Sequence, residues 1–81
     1  MADDDDIVQR INGLSSEEHD LERAHAGKSL SREEQQRLRD IEIALDQCWD
    51  LLRQRRARRH AGQDPDGAAV RPESVVEGYR Q

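Results

Sequence analysis

Phenylalanine is absent from this 81-residue chain, and Trp49 and Tyr79 are its only aromatic residues. Hydrophobic residues make up 33% of it against 38% charged, and the mean hydropathy is −1.11. So few large apolar side chains exclude a three-layer core. Two architectures are left: a disordered chain, or long amphipathic helices that each bury a narrow stripe. The single cysteine, Cys48, excludes an intrachain disulfide. No stretch approaches the ~20 apolar residues of a membrane span. The opening residues Met1-Ala2-Asp3-Asp4-Asp5-Asp6 are acidic where a secretory leader is basic and then apolar, so the expected location is the cytoplasm. Gly-rich phosphate loops, CxxC pairs and nucleophile elbows are also missing. No set of acid, base and nucleophile can be assembled, and the expectation is a non-enzymatic protein without a cofactor.

What is present is helical periodicity. Ile7, Ile11, Leu14 and Leu21 fall at steps of four, three and seven, on one stripe of a first helix over about 4–26. The four aspartates at its start, Asp3 to Asp6, sit where the helix dipole favours negative charge. Ala26-Gly27-Lys28-Ser29-Leu30 reads as a turn, and Ser31 with Glu34 has the spacing of a capping box. A second helix over about 31–61 carries Leu38, Ile41, Leu45, Cys48 and Leu52 at alternating steps of three and four, a heptad seam. Gly62 suits the position just past its end. Counting outward from the turn, Leu21 faces Leu38, Leu14 faces Leu45 and Ile7 faces Leu52. The stripes agree along their length, which is the signature of an antiparallel, coiled-coil-like two-helix hairpin.

Residues 1–62 therefore form an all-α hairpin, and residues 63–81 a turn with a short docking tail. Gln63-Asp64-Pro65-Asp66-Gly67 has turn chemistry, and Pro72 suits the start of a last short helix in which Val75, Val76 and Tyr79 share a face. Ala44, Trp49 and Leu51 widen the apolar arc of the second helix beyond what one neighbour covers. The expectation is that the tail folds over Trp49, that a second chain completes a four-helix bundle as a homodimer, or both.

The strings Ala44-Leu45-Asp46-Gln47-Cys48-Trp49-Asp50-Leu51-Leu52-Arg53-Gln54-Arg55-Arg56-Ala57-Arg58-Arg59 and Val70-Arg71-Pro72-Glu73-Ser74-Val75-Val76-Glu77-Gly78-Tyr79 resemble a family of short actinobacterial proteins known as a domain of unknown function. The resemblance implies a small intracellular helical protein and brings no activity or ligand with it.

Three functional patterns stand beside structural ones. Five arginines in seven residues, Arg53, Arg55, Arg56, Arg58 and Arg59, suit RNA, DNA or an acidic protein. They equally suit a helix C-terminus facing the aspartates of the first helix, whose −4 nearly cancels their +5. With a net charge of −5, the structural reading leads and nucleic acid is disfavoured. Glu18, Glu22 and His25 carry an ExxH spacing that holds metal in di-iron bundles, but one such match is expected by chance in a glutamate-rich chain. Cys48 on the seam reads as a small buried hydrophobe, and Glu42, Asp46 and Asp50 as a solvated face. The leading function is a protein-interaction module that binds itself and another protein through Trp49, Leu51, Val76 and Tyr79, or through Arg55, Arg56, Arg58 and Arg59.

Overall fold

The first helix begins at an aspartate that caps it from both sides. Asp3 accepts a hydrogen bond from the Asp6 N–H (2.9 Å), and its own N–H donates to the Asp6 carboxylate (3.2 Å). This reciprocal box satisfies two of the amides that a helix N-terminus leaves unpaired. In the computed structural model, which describes residues 3–25, 27 and 29–76 apart from the side chains of Val75 and Val76, α1 spans Asp4–Ala24 and α2 spans Arg32–His60. The second helix starts with the Ser31–Glu34 box read from the sequence, Ser31 Oγ accepting from Glu34 N–H at 3.1 Å. It ends where Gly62 turns left-handed, at φ 73°. The Gln63 N–H then reaches back to Arg58 O at 2.7 Å and the Gly62 N–H to Arg59 O at 3.1 Å. That pair of bonds closes the last carbonyls, and only glycine adopts the required φ without strain.

All regular elements among the described residues are helical. α1 and α2 pack antiparallel, and the core at their seam is Ile7, Ile11, Cys48 and Leu52, flanked by Leu14, Leu45 and Leu51. Ile41, one turn nearer the bend than Leu45, is fully buried. Polar pairs at the two ends fix the same register: Asp4 meets Arg55 at the open end, and His25 meets Glu34 at the bend. Both pairs keep the alignment that sets Ile7 opposite Leu52. The molecule measures 50 × 24 × 20 Å, which matches the roughly 44 Å length of a 29-residue helix.

After α2 the chain makes a single 3₁₀ turn at Pro65–Gly67, opened by the Asp64 side chain accepting from the Asp66 N–H. It then runs back along α2 and ends in the one-turn helix α3, Glu73–Val76. The tail does fold over α2, but on the flank opposite Trp49. Trp49 is 46% exposed, contrary to the burial expected beneath the tail. The side chains of Val75, Val76 and Tyr79, expected to do the covering, lie outside the described residues.

Candidate functional site

The tail is held by polar groups of α2. Asp50 is fully buried, although its turn-by-turn spacing from Asp46 suggested a solvated face. Its carboxylate receives both Nε (2.9 Å) and Nη2 of Arg71, and the Gln54 side-chain amide at 2.9 Å. Gln54 also donates to Ala69 O (2.7 Å) and accepts from the Ala69 N–H (3.4 Å), while Gln47 donates to Arg71 O (3.3 Å). Two glutamines thus hold the backbone of residues 69 and 71, and Asp50 holds the Arg71 side chain beside them.

At the open end the arginine run is largely engaged within the fold. Arg55 is buried, donating to Asp4 (2.6 Å) and to Asp66 (2.9 Å). This makes it a clamp joining α1, α2 and the 3₁₀ turn, and corrects its place on an exposed binding patch. Arg59 also pairs with Asp4. Hydrogen bonds from Arg59 and Arg55 hold the Asp4 carboxyl at about 2, below its ordinary 3.8. Arg58 lies against Gly67, where a Cβ would stand 2.7 Å from its Nη1. Arg56 is exposed, and with Arg59 and His60 it borders a shallow basin of ≈ 380 Å³.

The ExxH residues do not converge. His25 turns to Glu34 in the capping box of α2, and Glu22 is exposed. Among the described residues no three His, Cys, Asp or Glu side chains are placed to hold a metal ion. Burial pushes the Cys48 thiol up in pKa against a smaller opposing pull from Arg10. The protonated thiol is the favoured form, which leaves Cys48 a poor nucleophile.

Two flanks run alongside the seam, and their composition follows from helix phase. In two antiparallel helices, residues one position before a seam residue point to one flank, and residues one position after point to the other. Asp6, Arg10, Gln47 and Leu51 each precede a seam residue, and with Ala44 and Val70 they line a ≈ 350 Å³ groove beside the tail. Leu51 is therefore half-buried on the core rather than free for a partner. Val8, Glu42, Asp46, Trp49, Arg53 and Arg56 each follow a seam residue and lie on the opposite flank. There Trp49 (46% exposed) and Val8 (41% exposed) are the large apolar groups presented to solvent. The wide apolar arc of α2 is accordingly split: among the described residues the tail takes the Ala44–Leu51 side and Trp49 stays 46% exposed on the other. Sequence reasoning missed Asp50 and Arg71, which pair across 21 residues of chain, and the two glutamines, which bond backbone atoms of the tail.

Among the described residues no helix is long and apolar enough to cross a membrane. A family model described as "Protein of unknown function (DUF2630)" matches residues 3–81. An uncharacterized protein of Mycobacterium tuberculosis is 56% identical over 78 residues, which cover 94% of this chain and 88% of the relative. An uncharacterized protein of Mycobacterium bovis matches to the same extent. No solved structure matches the chain. The resemblance carried by the second helix and the tail is thereby established, and the chain belongs to the DUF2630 family of short actinobacterial proteins of unknown function.

Proposed function

We propose that this protein is a non-enzymatic helical interaction module whose contact surface is the flank centred on Trp49. The observation that carries this reading is the placement of the chain's one tryptophan. In a molecule with so little apolar bulk, Trp49 is 46% exposed on a long helix while smaller Ile41 and Leu52 are buried. Tryptophan on a rigid helix offers a large contact area at little cost in side-chain entropy, which is why it recurs at the centre of interfaces. The four-helix bundle expected from the sequence is one assembly that this flank would serve, and the reading holds equally for a different protein partner.

The nucleic-acid reading has the open basin at Arg56, Arg59 and His60 in its favour. Against it, Arg55 and Arg59 are neutralised by Asp4 and Asp66. The interaction reading is tested by capturing tagged protein from a mycobacterial host alongside a Trp49→Glu variant of equal helicity. A defined species, whether an untagged copy or another protein, should accompany the unmodified chain and be lost from the variant. Identical capture by both proteins would remove the reading.

A further inference from the structure

We infer that the partner seated on the Trp49 flank is a second copy of this chain, laid antiparallel about a two-fold axis at Trp49. This rests on the interaction-module reading above and names the occupant of that surface. The observation is the order of charge along the flank. Glu42, Asp46, Trp49, Arg53 and Arg56 follow the seam residues Ile41, Leu45, Cys48, Leu52 and Arg55, so all five share a strip about 80° wide on α2. Two carboxylates lie on one side of the tryptophan and two guanidinium groups on the other.

The spacing is close to palindromic in position and opposite in sign. Glu42 stands seven residues before Trp49 and Arg56 seven after; Asp46 stands three before and Arg53 four after. A two-fold axis at Trp49 therefore sets Glu42 of each chain against Arg56 of the other, and Asp46 against Arg53 within about 1.5 Å along the axis. Each pair occurs twice, as an isologous interface requires. A parallel arrangement sets carboxylate on carboxylate and guanidinium on guanidinium, so the charge order selects the antiparallel one. Trp49 then meets its own copy at the centre, with Val8 beside it on the same flank. Glu42, Asp46 and Arg53 each already have an interaction within the chain and Asp46 Oδ2 is buried, so the outer Glu42–Arg56 pair is the one that sets the polarity. A partner of unrelated sequence has no reason to repeat a self-complementary order.

The contact is rich in charge, so the association weakens as salt is added. Sedimentation equilibrium of the purified full-length chain tests it, with Glu42→Arg, Arg56→Glu and the double variant compared at equal helicity. Either single reversal sets like charges together twice and should weaken the dimer by about tenfold or more. The double variant restores both pairs with their polarity exchanged and should dimerise within about threefold of the unmodified chain. An equimolar mixture of the two single variants should form mixed dimers, because each arginine at position 42 or 56 then meets a glutamate. A chain that stays monomeric to submillimolar concentration would overturn the inference, as would a double variant or mixture no better than the single reversals. If the monomeric chain still captured another protein through Trp49, the interaction reading would survive without this occupant. If it captured nothing, both would fall.

Discussion

Asp50 and Trp49 are neighbours in the chain and their exposures run opposite to their chemistry. The carboxylate is fully buried and the indole is 46% exposed. The tail explains both, because Arg71 and Gln54 make a home for the charge on the flank that Trp49 does not share. Arg71→Ala strips the buried carboxylate of its cation and should destabilise the fold by about 2–4 kcal/mol. The double variant Asp50→Leu with Arg71→Met removes both charges and should recover most of that loss, as read by chemical denaturation. Leu52, 1% exposed at the seam, should lose about 2–5 kcal/mol as Leu52→Ala. Asp4 gives a pH dependence. Its folded-state pKa of about 2 lies below the ordinary 3.8, so between those values the unfolded chain binds more protons. The stability Asp4 confers is full above 3.8 and is lost as the pH falls toward 2. Asp4→Asn should remove that part of the acid transition in denaturant midpoints measured across the window.

At the scale of the elements, the helices were written plainly in the sequence. The Ser31–Glu34 box, the heptad seam and Gly62 state where α2 starts, which face it buries and where it stops. Ser31→Ala should cost about 1 kcal/mol, the usual loss for an N-cap. The path of the tail was not legible. Apolar spacing at Val75, Val76 and Tyr79 pointed to Trp49, yet the tail is positioned by side-chain amides on backbone atoms of residues 69 and 71. Backbone groups are the same at every residue, so no side-chain pattern reports which segment they will hold. Asp50 is misread for a different reason: a carboxylate at helical spacing looks solvated until its partner, the Arg71 side chain 21 residues away, is known. Removal of residues 70–81 distinguishes the two placements. It should lower the melting temperature through loss of the Asp50–Arg71 contact while leaving the emission maximum of Trp49 in dilute protein unchanged. A red shift would place the tail over the indole.

For the molecule as a whole, charge is arranged at two levels. Within the chain, Asp4 and Asp66 pair with Arg55 and Arg59, two of the five arginines at the end of α2. Replacing Asp4 with asparagine should raise non-specific affinity for nucleic acid, with a steep salt dependence measured by titration of a labelled duplex. Across the surface, the tail and the groove occupy one flank of the hairpin, and the opposite flank presents Trp49 between charges of opposite sign. On the proposed function, a partner in the cell engages this second flank. The most direct test of that engagement is photo-crosslinking from a benzoylphenylalanine placed at position 49, with the same group at Val70, 63% exposed on the tail side, as the control. A discrete crosslinked species should form from position 49 and be absent or much weaker from position 70. No crosslink from position 49, or equal products from both sites, would contradict it.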